Sequence, residues 1–482
     1  MPKPRENGNI PDADCGAVAL RECITQSDFL EVGGDGELLI ERHRCADLLA
    51  AFGSPLYVTS EKSLLANYRR FRDAFDRRWP AVVRVFYATK CNPNLAIRAI
   101  LRGAGADVEC FSAGEYDTCL DCGFARDQIM VNGSSKEDGF LATLAAAGSI
   151  VNIDSVEEID ALERLASPTD PVPVNLRLKI STPALDGFDA AFFKGVGSVN
   201  EAVRRSKWGF GAAAATDLVR RLMAMPQVRL LGYSSHVGRF SNLPQAYAAV
   251  AREVAATASR IAAATGFKPA VLDLGGGWAR HREPESRGFD LNPHTIEDYA
   301  DAVTGALKEE LGQGEGARLP ELWLEPGRYI VGNAVTLLAT VGSVKRDVGR
   351  AWVHVDASTN DLMRIETSQS RHVILPAGRM NEAFAETVDV VGPTCIPSLL
   401  GADRRMPPLD RGDIVAILDA GMYAEAISNR FNSVPAPANV LLSGEGAEYI
   451  RVPEAPRDLY ATHRIPEAHR PALLNRREEL PR

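Results

Sequence analysis

The chain has 482 residues, of which 45% are hydrophobic and 24% charged, and its formal net charge is −9. That length buries a large core and leaves room for two domains, while the acidic balance argues against a general nucleic-acid surface, which needs excess Lys and Arg. No run of about 18 apolar residues marks a membrane span, and the opening "MPKPRENGNIPDADCG" has no apolar signal segment.

Eight cysteines in so long a chain do not suggest a disulfide framework, so a reducing cytoplasm is the expected location. "CLDC", from Cys119 to Cys122, has half-zinc spacing, but no second pair follows at ligand distance and the stretch reads as helix; no metal is expected. Residues 1–54 contain short β-like pieces such as "ELLIER" and are expected to join a β domain.

From 55 to 340, β-branched runs alternate with Ala-, Leu- and Glu-rich helical stretches. The runs are "PLYVTS", "VRVFYA", "ADVEC", "DQIMVNG", "SIVNIDS", "VPVNLRLKI", "VRLLGYSSH", "PAVLDLGGG" and "ELWLEPGR". They are too apolar to keep one wet face, as befits parallel strands covered by helices. About eight strand–helix repeats of this size favour an α/β fold with a closed (β/α)8 TIM barrel over an open doubly wound sheet. The connection from Arg177 to Phe210 is long and is placed over the barrel mouth. From 341 to 482 the pattern changes to runs such as "RAWVHVDAS", "ETVDVVGPTC", "DIVAILDAG" and "NVLLSG", which predict a separate antiparallel β domain.

Chemistry in such a barrel gathers at the C-terminal ends of the strands. There stand Lys90, Glu109, Asn132, Asp154, Arg177, His236, the glycines 275–277, and Glu325 to Arg328. Lys90 follows a buried strand and precedes an Asn-Pro-Asn turn. An amine in that place can hold a carbonyl cofactor as a Schiff base, or simply cap the strand at the surface. Gly275, Gly276 and Gly277 allow successive N–H groups to face an anion, and equally suit a tight turn. They lack the spacing of a dinucleotide fingerprint, so a lone phosphate is the better match. Glu325 can accept a hydrogen bond from a protonated ring nitrogen and Arg328 can fork onto phosphate or carboxylate; an internal Glu–Arg ion pair is the alternative. His236 can lie against a planar cofactor or be a satisfied buried histidine. In the β domain, Cys395 is an acid, a nucleophile or an inert small residue, and Tyr423 donates to a phosphate or packs. Taken together, an amine, an anion cradle, a ring-nitrogen partner and a ring-face group match pyridoxal phosphate. A carboxylate on the ring nitrogen keeps the pyridine protonated, which suits a carbanion formed by loss of CO2.

The motifs "YATKCNPN", "FSAGE", "NIDSVEE", "SKWGF", "LDLGGG", "EPGRYIV", "STNDLMR", "VGPTC", "DAGMY" and "RFNSVPAP" run in order from about residue 50 to 445. In them the chain resembles the barrel-fold pyridoxal-phosphate amino-acid decarboxylases, most closely the diaminopimelate decarboxylase group. The resemblance implies that Lys90 carries the cofactor, His236 stacks on its ring and Glu325 pairs with its nitrogen. It assigns Gly275, Gly276, Gly277, Gly327, Arg328 and Tyr423 to the phosphate and substrate-carboxylate shell. Glu109, rather than Asp107, fits the acidic residue beside the cofactor amine. Cys395 resembles a thiol that protonates the carbanion from the other subunit, which implies a homodimer with shared sites.

Three departures bear on substrate. The acidic residue that usually follows the cysteine is Ile396; the usual Arg-Pro and later Tyr become Arg364-Ile365 and Ser368; and Arg239 replaces a phosphate-contacting serine. A lost acid and a gained Arg reduce attraction for a cationic side chain. They predict a neutral, carboxylated or conjugated amino acid from secondary metabolism, with diaminopimelate decarboxylation in lysine biosynthesis as the alternative. An amino-acid racemase generally pairs the ring nitrogen with Arg, so Glu325 argues against it. A non-catalytic pyridoxal-binding protein would be expected to lose its acid/base residues, yet Lys90, His236 and Cys395 are all present.

Overall fold

A computed structural model describes residues 13–188, 195–238, 241–284, 291–312 and 318–470. Eight parallel strands close into a barrel in chain order: Val83–Ala88, Asp107–Cys110, Ile129–Val131, Ile150–Ile153, Val172–Arg177, Val228–Ser234, Val271–Asp273 and Glu321–Leu324. Glu321–Leu324 pairs back onto Val83–Ala88 and completes the ring. Helices such as Glu61–Asp76, Pro244–Thr265 and Ile296–Leu311 pack outside. Several begin on side-chain caps: Ser60 accepts from the Ser63 N–H, Ser112 from Glu115 and Ser155 from Glu158. Each such cap contributes about 1 kcal/mol and fixes where the strand-to-helix turn ends.

The strands show how a two-residue period builds both a core and a site. Outward residues such as Val85, Tyr87, Val108, Ile129, Val131, Leu272 and Leu322 join the core shared with the helices. Inward residues at the lower level, Phe86, Met130, Ile150, Val271 and Trp323, form a separate apolar plug. Phe86 and Trp323 meet with ring centroids 4.9 Å apart, and burying each contributes about 1.5–3 kcal/mol. Two positions further along, the inward residues of four of those strands turn polar: Asn132, Asn152, Asp273 and Glu325.

The second domain is a nine-stranded sheet whose main path runs Leu399–Met406, Glu386–Val391, Arg350–Val355, Val335–Asp347, Leu56–Ser60, Ala438–Ser443 and Gly446–Arg451. Two features differ from the sequence pattern. "PLYVTS" predicts a barrel strand, but Leu56–Ser60 lies between Val335–Asp347 and Ala438–Ser443 in this sheet. The barrel portion therefore opens with helix Glu61–Asp76, and the second domain resumes at Val335 rather than 341. A short, wholly buried strand carries no mark of which sheet it will join. The sheet is also mixed: Leu56–Ser60 runs parallel to Ala438–Ser443, and Arg350–Val355 parallel to Glu386–Val391. The N-terminal segment packs against this sheet, with Leu20, Cys23, Leu38 and Ile40 in one apolar cluster with Leu338, Leu375 and Leu418. No described helix is long and apolar enough to cross a membrane.

Candidate active site at the barrel mouth

Lys90 sits in the single 3-10 turn Thr89–Cys91 beyond the first barrel strand. Tyr87 donates its hydroxyl to the Asn92 carbonyl at 2.9 Å, and the Ala88 N–H reaches the Pro326 carbonyl at 3.2 Å. A side chain at Gly327 would stand 2.8 Å from Cys91 Cβ, so glycine lets the Lys90 turn and the Glu325-Pro326-Gly327 turn touch. The Lys90 Nζ donates to Glu109 Oε2 at 2.7 Å and lies 4.7 Å from the centre of the Phe111 ring. Asp107 faces lower in the barrel and pairs with Arg84 at 2.8 Å, so Glu109 is the acid beside the amine. Burial opposes the charge on Lys90, but Glu109 and Glu325 outweigh it and hold the amine above its ordinary pKa.

Asn132 donates to Glu109 Oε1 at 3.0 Å and to Glu325 Oε1 at 2.8 Å, bridging the two carboxylates. Its own carbonyl accepts from Asn152 at 2.7 Å, and Asn152 accepts from Asn175 at 3.0 Å. Burial would raise Glu325, yet the Lys90 cation and side-chain hydrogen bonding with Asp273 and Asn132 hold it below the usual carboxylate value. Among these, Asn152, Asn175 and Asp273 escaped the sequence reading. The signal that finds them is the strand phase, since Asn152 and Asp273 lie two residues beyond plug residues Ile150 and Val271.

His236 follows the sixth barrel strand, and its Nδ1 accepts the Gly276 N–H at 2.8 Å, leaving the proton on Nε2. Burial, together with the Lys90, Arg177 and Arg328 cations, pushes it down to about 4 and keeps it neutral near pH 7. A Cβ at Gly275 would stand 2.5 Å from that Nδ1, so the glycine turn is molded against the imidazole. The Gly275 N–H donates to Asp273 Oδ1 at 2.8 Å. Two of the three glycine positions thus serve the histidine and Asp273 directly.

From the second domain, the Tyr423 N–H reaches the Cys91 carbonyl at 2.8 Å, bringing its ring to the mouth. The Arg328 and Arg364 guanidinium groups lie 5.6 and 4.8 Å from that ring. Arg328 is buried and pairs with Glu283 at 3.1 Å, so the Glu–Arg ion pair that the sequence offered as the alternative forms with Glu283 and not with Glu325. Asp154 accepts the Gly209 N–H at 2.6 Å and ties down the long connection after the fifth strand. Cys395 and Ile396 stand apart on the loop between Glu386–Val391 and Leu399–Met406, where Cys395 is exposed and donates its N–H to Asn432. Arg239 lies outside the described residues.

The mouth therefore offers an amine, a carboxylate free to face a ring nitrogen, a neutral imidazole and a glycine turn. Arg177 Nη1 and Ser234 Oγ are buried there without a hydrogen-bond partner among the described residues. Buried donors of that kind call for an acceptor from outside the chain, and this set fits pyridoxal phosphate.

Residues 61–332, more than half the chain, match the family described as pyridoxal-dependent decarboxylase, pyridoxal binding domain. The chain belongs to that family. It is 32% identical to the diaminopimelate decarboxylase of Methanothermobacter thermautotrophicus over 91% of this chain and 98% of that one. The corresponding protein of Archaeoglobus fulgidus is 29% identical over 90% and 98%. The crystal structure of the M. jannaschii diaminopimelate decarboxylase superposes with a TM-score of 0.82 at 27% identity, covering 92% of this chain and 99% of that one. The protein is accordingly a pyridoxal-phosphate-dependent amino-acid decarboxylase of barrel fold. When bound, the cofactor supplies an electron sink for the substrate α-carbon.

Proposed function

We propose that this chain removes one carboxylate of diaminopimelate as CO2, working in the cytoplasm as a homodimer. The observation that carries the substrate is the span of the likeness to diaminopimelate decarboxylases, which covers nine-tenths of the chain and both of its domains. In this reading Lys90 holds the cofactor, Glu325 accepts from its ring nitrogen and His236 lies on its ring face. Glu109 draws the proton of Lys90, and Arg328, Arg364 and Tyr423 receive phosphate and carboxylate groups. Cys395, exposed on its own chain, serves the site of a second copy as proton donor. Eight cysteines without a disulfide suit a reducing compartment.

The relatives weigh against a substrate lacking a distal ammonium, which Ile396 and Arg239 suggest from the sequence. Ile396 remains the specific observation for that second reading, since no carboxylate follows Cys395 before Asp403. The loaded enzyme should be incubated separately with meso-diaminopimelate, lysine, ornithine, arginine, glutamate and carboxylated conjugates, with products followed by mass spectrometry. Conversion of meso-diaminopimelate to lysine faster than any other loss of CO2 is expected. No lysine formed, alongside turnover of glutamate or a conjugate, would overturn the first reading in favour of the second.

A further inference from the structure

Asp273 ends the seventh barrel strand with its side chain inside the barrel, fully buried. Its Oδ1 is satisfied by the Gly275 N–H. Its Oδ2 is buried too, and no N–H or O–H of another described residue reaches it. Glu325 is the buried carboxylate beside it, two residues beyond Trp323, the register partner of Asp273 on the adjoining strand, and the two carboxyl groups interact with one another. The backbone locks the two strand ends together, because the Glu325 N–H donates to the Gly275 carbonyl at 2.9 Å. Two buried carboxylates in contact cannot both be ionised; the stable arrangement shares one proton between them.

We propose that Asp273 is a positioning residue that carries this proton and donates it as a hydrogen bond to an ionised Glu325. The direction is set by the neighbours. Glu325 has the Lys90 ammonium nearby and accepts from Asn132, whereas the charged neighbours of Asp273 are the Glu325 and Glu109 carboxylates. The negative charge therefore settles on Glu325. The asparagine ladder supports it from the other side: Asn175 donates to Asn152, Asn152 to Asn132, and Asn132 turns its amide hydrogens to Glu325 and Glu109. Held between Asp273 and Asn132, Glu325 has one orientation and one charge state in which to accept from a pyridinium nitrogen.

This inference rests on Glu325 as the ring-nitrogen partner, and the two halves are separable by experiment. Infrared spectroscopy of the cofactor-free protein near pH 7 reads the proton alone. A protonated carboxylic-acid carbonyl band is expected in the wild type and absent in Asp273→Asn; no such difference between the two would overturn the shared proton. Pyridoxal phosphate affinity then reads the positioning. In Asp273→Asn an amide N–H replaces the acid O–H, so affinity should stay within a few-fold of the wild type. In Asp273→Ala it should fall roughly tenfold to a hundredfold, the worth of a lost hydrogen bond to a charged group. Equal losses in both variants, or no loss in Asp273→Ala, would overturn the positioning role.

Discussion

At the level of single residues, the site holds charge in a low-dielectric space by pairing each group with a named neighbour. Lys90 stays protonated because Glu109 lies 2.7 Å away, and Asn132 shares its amide hydrogens between Glu109 and Glu325. His236 takes the opposite course, remaining neutral with its Nδ1 bound to the Gly276 N–H. This has a pH signature. The folded state resists a proton on His236 down to about 4, whereas an unfolded histidine takes one near its ordinary value. Stability of the cofactor-free protein should therefore be lost as pH falls from the unfolded value toward the folded one. The loss attributable to His236 is about 2 kcal/mol, scaled down from the full shift because the ring keeps some solvent contact. His236→Asn preserves an acceptor for Gly276 and cannot protonate. Urea unfolding at a series of pH values should show a shallower acid loss in that variant than in the wild type.

At the level of elements, the strand period explains what was legible in the sequence. Lys90, Glu109, His236 and Glu325 stand out because a charged or ionisable residue closes an apolar run. Asn152 and Asn175 did not stand out, since they sit inside strands and form hydrogen bonds only once neighbouring strands are in register. Asp273 was hidden for the same reason, since Glu325 comes beside it only where the next strand ends in register. The sixth strand adds a feature no one-strand pattern carries: its pairing slips between Leu230 and Gly232, a bulge that sets the phase of Ser234 and of His236 beyond it. Gly232 lies so close to the Val271 carbonyl that a Cβ there would clash with it. Gly232→Ala should destabilise the fold by about 1–3 kcal/mol and weaken cofactor binding by moving His236. A lower urea midpoint together with a weaker pyridoxal phosphate titration would bear this out, and an unchanged pair would not.

At the scale of the whole molecule, the barrel, the N-terminal segment and the second domain meet at buried charges. Arg282, on the loop after the glycine turn, pairs with Asp28 and with Asp419, the latter at 2.7 Å, and donates to the Cys23 carbonyl at 2.7 Å. Arg280 adds a bond to Asp419 at 3.0 Å. One residue thus ties three parts of the chain together, and the tie was not visible in the sequence because its members are 137 and 254 positions apart. Arg282→Ala leaves two buried carboxylates short of their cation, and should cost about 3–5 kcal/mol in equilibrium unfolding. The Leu56–Ser60 strand belongs to this same architecture, since a strand placed before the barrel but paired after it makes both domains depend on one another.

The proposed chemistry of the site turns on Lys90 as the residue that would bear pyridoxal phosphate. The most direct measurement is borohydride reduction of the loaded enzyme with subsequent peptide mass mapping. The cofactor mass is expected on the peptide containing Lys90, with no labelled peptide in Lys90→Ala. Label on another lysine, such as Lys136 or Lys179, or no label in the wild type, would contradict it.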